Sequence, residues 1–359
     1  MIIMGKIIIE KSIYSFEDIR LGNWSESDPY FHQALSFCQS WLCGKEEFEM
    51  STSGSTGEPK NIQVKRKQME VSAAGTGDFF GLDKGSKLLC CLNIWMVAGK
   101  MMLVRALEWD AEVTVVKPIE NPLLETDDNF DFVAMVPMQV AACLDHPITR
   151  PRIRQIKNLI IGGAPSSSLL IEKILEQGIS AFQTYGMTET VSHIALAKIS
   201  AGDLIYKVLP GVKIGTDKEK RLWIKAPMAG EKKLQTNDLV ELLDEDSFKW
   251  QGRADFTINS GGIKLQPELM EPKIIPIIQS LFGHQEFFLF GKPDERLGQK
   301  LVLVIQQKEK DVKKEQDLLL ALKENFNRYH LPKEILYVDE LVKTASGKIN
   351  RPESYKIAK

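Results

Sequence analysis

Three short apolar runs, at residues 87–93 (KLLCCLN), 131–137 (DFVAMVP) and 156–161 (IKNLII), constrain the fold of this chain most strongly. Each reads as a buried strand, and helical patterns separate them. Residues 139–144 suit a short helix. Residues 168–177 place Leu170, Ile171, Ile174 and Leu175 on one helical face, with Gly178 as the stop. SAFQTYG then reads as a further strand entering a loop. Strands alternating with helices imply an α/β sheet with crossover connections. The opening MIIMGKIIIEKS carries an apolar run too short for a signal-peptide core and is expected to be a strand.

The pattern changes after Gly252. Helices are expected over 267–281 and 312–326, and strands at 287–290, 301–306 and 334–338. Together they make an α+β unit of about a hundred residues, within the usual domain range. Arg253-Ala254-Asp255 is the expected boundary, dividing a large α/β domain (1–253) from a small α+β domain (254–359). With 46 Lys and Arg against 48 Asp and Glu, the net charge is −2, so no basic excess points to a nucleic acid. No run approaches the ~18 apolar residues of a membrane-spanning helix. The cysteines, Cys38, Cys43, Cys90, Cys91 and Cys143, form no C-x-x-C pair and suggest neither a disulfide framework nor a zinc site. A reducing cytoplasmic setting fits them. A polyanionic ligand would need a local cluster of donors and cations.

Residues 51–60 supply one: Ser-Thr-Ser-Gly-Ser-Thr-Gly-Glu-Pro-Lys. Glycines bring backbone N–H groups close to phosphate oxygens, hydroxyls add donors, and Lys60 adds charge. A flexible Ser/Gly linker has a similar composition. Five further strings follow in order. Gly162-Gly163-Ala164-Pro165 follows a predicted strand and suits a flat base sliding along the backbone. Tyr185-Gly186-Met187-Thr188-Glu189-Thr190 offers an aromatic ring, a hydroxyl donor and a carboxylate fit for Mg²⁺, a hard cation that prefers oxygen. Thr236-Asn237-Asp238 offers an acceptor for two ribose hydroxyls, or an ordinary exposed turn. Residues 252–264 (GRADFTINSGGIK) carry Arg253 and a Gly-Gly turn; residues 343–351 (KTASGKINR) present Lys348.

Taken together, these strings resemble the adenylate-forming superfamily of acyl-CoA synthetases and other AMP-binding enzymes. The match at Thr52, Ser53, Gly54, Ser55, Thr56, Gly57 and on to Lys60 is the most specific. The resemblance implies a loop around the ATP phosphates there. It implies adenine and ribose contacts from Gly162, Gly163, Ala164, Tyr185, Gly186, Asp238 and Arg253, a phosphate contact from Thr188, and Mg²⁺ held by Glu189. Asp255 takes the hinge position. Lys348 takes the catalytic position, where a cation stabilises the meeting of carboxylate and α-phosphate. Lys264 is a weaker candidate for the coenzyme A phosphates. The implied chemistry is acyl-adenylate formation from ATP and a carboxylic acid, then transfer to coenzyme A, with the small domain rotating between the two steps. Loading of a carrier protein is a second reading, and a truncated nucleotide-binding scaffold a third. Only about fifty residues precede the phosphate loop, where family members usually carry a large subdomain. An exposed face covered by a second copy is therefore expected.

Residues 93–107 (NIWMVAGKMMLVRAL) resemble the o-succinylbenzoate–CoA ligase branch of menaquinone synthesis. Such a substrate has a second carboxylate, and Arg105 is the candidate cation for it. The alternative for Arg105 is a helix-end residue paired with a local acid. His193 and Ser192 are candidates for the acid pocket; a histidine satisfied by backbone is the competing expectation.

Overall fold

The computed structural model describes residues 5–51, 61–230, 232–343 and 349–359. The phosphate-loop residues Thr52–Lys60 and Lys348 therefore lie outside the described residues.

The chain opens with a hairpin, β1 (Lys6–Ile9) and β2 (Ser12–Ser15), then α1 (Phe16–Leu21) and α2 (Pro29–Leu42). A second hairpin, β3 (Glu47–Ser51) with β4 (Asn61–Lys65), flanks the phosphate-loop segment and leads into α3 (Arg66–Phe80). The α/β core follows: β5 (Lys87–Cys90), α4 (Val97–Glu108), β6 (Glu112–Val115), β7 (Phe132–Met135), α5 (Pro137–Asp145), α6 (Thr149–Ile153), β8 (Asn158–Ile161), α7 (Ser168–Glu176) and β9 (Ala181–Gly186). Then come six strands with only short 3-10 turns between them: β10 (His193–Lys198), β11 (Ile205–Val208), β12 (Lys213–Thr216), β13 (Arg221–Lys225), β14 (Leu234–Leu242) and β15 (Ser247–Arg253). All but β3 and β4 join one thirteen-stranded sheet in the order β12-β13-β14-β15-β11-β10-β9-β8-β7-β5-β6-β1-β2.

The run from β9 to β1 is parallel because each crossover contains room for a helix; the short 187–192 link forces β10 antiparallel to β9. The parallel strands are apolar on both faces. Leu88, Cys90, Phe132 and Ala134 pack into one core, Leu89, Val133, Met135 and Leu159 into another across the sheet. The chain leaves β5 for β6 on one side and then returns to β7 on the other. Such a reversal opens a crevice at the carboxyl ends of the strands, where open α/β sheets bind ligands. β1 extends the sheet by pairing parallel with β6, and β2 forms its edge.

The remaining residues build a five-stranded sheet: β16 (Ile258–Ser260), β17 (Ile263–Leu265), β18 (Phe287–Asp294), β19 (Gly298–Gln306) and β20 (Glu334–Val338). Helices α8 (Pro267–Phe282) and α9 (Val312–Asn325) cover one face through Ile274, Ile278, Leu318 and Leu322. Helix α10 (Arg351–Lys356) reaches the other face, where Tyr355 stacks on Phe290. The expected helices and strands of this unit are present. β18 runs four residues past its expected end, through Pro293; as an edge strand it tolerates the missing N–H. Residues 258–265 form a hairpin whose turn is Gly261-Gly262, with φ of +58° and +82°.

Candidate active site

The loop after β8 carries Gly162, Gly163 and Ala164. Gln183 on β9 braces it from beneath: Nε2 donates to the carbonyls of Ile161 (3.0 Å) and Ala164 (3.1 Å), and Oε1 accepts from Ser166. Gly186 ends β9 where the backbone of Ser192–His193 passes so close that a Cβ would lie 2.4 Å from the Ser192 carbonyl oxygen. Only glycine fits there. Thr188 opens the short 3-10 turn that follows. Glu189 sits exposed on the same turn and has no hydrogen bond or ion pair among the described residues.

Tyr185 points across the sheet. Its hydroxyl donates to Asp238 Oδ2 at 2.7 Å, and its ring packs edge-on against Phe248. Asp238 is buried on β14. Its Oδ1 accepts from Trp250 Nε1 (3.3 Å), and the Arg253 guanidinium lies 3.8 Å away. Antiparallel pairing sets this arrangement, because Asp238 stands opposite Arg253 in the β14–β15 register. Arg253 Nη2 also donates to Asp255 Oδ2 (2.6 Å), and its backbone N–H donates to Glu268 Oε2 (2.7 Å) at the start of α8. Burial raises the Glu268 carboxyl above its ordinary value. Burial, followed by the Asp238 charge, also raises the Tyr185 phenol, which stays protonated and donating.

Arg105, on α4, is 2% exposed. Nη2 donates to Ser192 Oγ at 2.9 Å, Nη1 reaches Met102 Sδ at 3.5 Å, and Nε has no partner among the described residues. Burial pulls its pKa down to about 10. The local acid expected as an alternative partner is absent among the described residues. His193 is likewise not satisfied by backbone: Nε2 lies 3.2 Å from Thr76 Oγ and Nδ1 3.4 Å from Ser192 Oγ. Burial, then the Arg105 charge, holds it well below its ordinary pKa, so it is neutral.

Arg105, Ser192, His193 and the Glu189 turn thus come together, and so do Tyr185, Asp238 and Arg253. Lys264 is exposed on β17, and no contact brings it to either group. Trp250, Gln183 and Thr76 escaped sequence reasoning. Trp250 stands three residues before Arg253 on the same strand, the one signal that pointed to it.

Residues 48–222 match the AMP-binding enzyme family, and residues 277–348 match the AMP-binding enzyme C-terminal domain. An acyl-CoA synthetase (AMP-forming)/AMP-acid ligase II-like protein from Dyadobacter fermentans is 39% identical. It aligns over 94% of this chain and 97% of its own, with a TM-score of 0.64. The 2-succinylbenzoate–CoA ligase of Listeria monocytogenes is 27% identical over 89% of this chain and 72% of its own length. The o-succinylbenzoate CoA synthetase of Bacillus subtilis, solved with its acyl-adenylate intermediate, is 22% identical. It shares the fold at a TM-score of 0.71 over 85% of this chain and 68% of its own. The chain belongs to the AMP-binding enzyme family of adenylate-forming proteins.

Proposed function

We infer that the protein is an AMP-forming acid–CoA ligase, and that its acid is 2-succinylbenzoate. Family membership supports the reaction class. The substrate reading rests on one observation: a fully buried guanidinium, Arg105, has no carboxylate neighbour among the described residues and touches Ser192, three residues after Glu189. A buried unpaired cation is costly to keep. An acid with a second, non-reacting carboxylate gives it a function.

In the first step an oxygen of the reacting carboxylate attacks the α-phosphorus of ATP. The bond from that phosphorus to its bridging oxygen breaks, and pyrophosphate leaves. In the second, the CoA thiol loses its proton to solvent, its sulfur attacks the acyl carbon, the carbon–oxygen bond to AMP breaks, and AMP departs. Asp238, held by Tyr185 and Trp250, accepts from the ribose hydroxyls beside Arg253. The Gly162–Ala164 loop borders the adenine, with the backbone at Gly186 close by. Thr188 donates to a phosphate. Glu189, an exposed carboxylate free of protein partners among the described residues, fits a cation that keeps most of its water and phosphate ligands. Mg²⁺ bound there would supply neutralisation of phosphate charge. The phosphate loop (Thr52–Lys60) and Lys348 complete the set, and Lys264 meets the CoA phosphates after the small domain (254–359) turns about Asp255 on the large one (1–253).

No helix among the described residues is long and apolar enough to cross a membrane. We place the enzyme in the cytoplasm with its small-molecule substrates, and as a homodimer through the exposed β2 edge, where Ile13 is 63% exposed. Light scattering tests the dimer. A pyrophosphate-release screen over carboxylic acids with MgATP and CoA tests the function. Preference for 2-succinylbenzoate over benzoate and acetate is expected; equal rates would sink the substrate assignment.

A further inference from the structure

The acid-facing side of the site contains a chain of hydrogen bonds that takes one consistent direction when read from the Thr76 donor. It starts on α3, far from every motif read in the sequence. Thr76 Oγ–H donates to the Ser72 carbonyl at 3.1 Å. Its lone pairs therefore accept from His193 Nε2, 3.2 Å away, and Nε2 carries the imidazole proton. Nδ1 is then an acceptor, and the Ser192 hydroxyl is its donor at 3.4 Å. With that proton committed, Ser192 Oγ offers lone pairs to Arg105 Nη2 at 2.9 Å. Thr76, His193 and Arg105 are buried; Ser192 is the partly exposed member.

A strained backbone aims Ser192. Val191 has φ +65° and ψ −48°, and the Ser192 N–H donates back to the Thr190 carbonyl at 2.7 Å. This is a γ-turn of the rare, strained hand, and it holds a β-branched residue. Thr190 Oγ lies within hydrogen-bond reach of the carbonyls of Met187 (2.9 Å) and Ser192 (2.7 Å), which ties the turn down. Strain of this kind persists only where its surroundings over-determine it.

We propose that Thr76 is a positioning residue for the acid: acting through His193, it holds the Ser192 hydroxyl on Arg105. The buried cation then reaches the acid's non-reacting carboxylate through Ser192. The proposal rests on the reading of Arg105 as the cation for that carboxylate. The long bond to His193 is loosened but kept when the acid arrives. Ser192 shares its proton between His193 Nδ1 and the arriving carboxylate and keeps the bond from Arg105, which polarises the hydroxyl and strengthens it as a donor. No proton is transferred.

Thr76→Val removes the hydroxyl at nearly equal volume, and Thr76→Ser keeps it. Steady-state pyrophosphate release with 2-succinylbenzoate, MgATP and CoA separates the two. Thr76→Val is expected to raise the KM for the acid about tenfold, the size of one hydrogen bond to a charged group, with kcat and the KM for ATP unchanged. Thr76→Ser restores the wild-type KM. In a Ser192→Ala background, Thr76→Val adds nothing further. Equal effects of Val and Ser, or an ATP KM that rises with the acid KM, would reduce Thr76 to a structural role and overturn the proposal. Should Thr76→Val fail to fold, His193→Phe removes the ring nitrogens through which Thr76 acts. An acid KM unchanged in that variant overturns the proposal as well. Arg105→Met separates the two levels. No effect on acid KM in that variant removes the underlying reading of Arg105, whereas an effect there without one from Thr76→Val removes the Thr76 inference alone.

Discussion

The two halves of the site handle charge in opposite ways. On the ribose side, Asp238 is balanced by Arg253, which is balanced again by Asp255, and the neutral donors Tyr185 and Trp250 hold the aspartate in place. On the acid side, Arg105 is buried among neutral partners: a serine, a methionine sulfur and the Phe132 ring 5.6 Å away. A balanced cluster is preorganised for a neutral ligand such as a diol. An unbalanced buried cation leaves its field uncompensated for an anion. On the proposed reading, one subsite recognises hydroxyls by geometry and the other a carboxylate by charge.

The largest effect is expected at Asp238. Asp238→Ala removes the acceptor and leaves the Tyr185 and Trp250 donors and Arg253 without it. The KM for ATP is expected to rise about a hundredfold or more, while the acid KM changes little; steady-state kinetics with each substrate varied reads both. At Arg105 the expected sign pattern is different. Arg105→Met should raise the acid KM about thirtyfold and leave thermal stability equal or higher, because a desolvated lone charge gives way to an apolar side chain of similar length. A fall of several degrees in Tm would show that the guanidinium serves the fold instead. A smaller effect is expected from Trp250→Phe, which removes one 3.3 Å bond to Asp238 and should raise the ATP KM about threefold. The smallest is a pH effect on stability. His193 is held neutral in the folded protein, its pKa well below 6.5, so the unfolded chain binds the proton more readily. Its contribution is present above pH 6.5 and lost as pH falls, by at most about 1.4 kcal/mol per pH unit for one proton. Denaturant titrations at pH 7 and pH 5.5 should show a shallower loss in His193→Asn than in the wild type.

The parallel core was legible because strands buried on both faces stand out as apolar runs, and because Gly178 punctuates the chain. β20 falls at the residues expected for it, 334–338. The antiparallel extension from β11 to β15 was not legible. Segments such as IYKV and KIGT are four residues long, half polar and solvated on one side, so they carry little periodic signal. The site divides along the same line. Motif strings pointed to Tyr185, Asp238, Arg253 and Arg105, since each candidate sits in a local pattern. Trp250 reaches Asp238 only through the β14–β15 register, with its bulge between Leu239 and Val240. Thr76 meets His193 from a helix 117 residues earlier, a pairing no local pattern encodes.

One site is expected to make an acyl-adenylate and then a thioester. Rapid-quench single turnover with 2-succinylbenzoate and MgATP, first without CoA and then with CoA added, tests it most directly. Pyrophosphate and an enzyme-held acyl-adenylate should appear in equal amounts before CoA, and that adenylate should convert to acyl-CoA and AMP afterwards. Thioester formed with no adenylate preceding it, or no pyrophosphate from any carboxylic acid, would contradict the account.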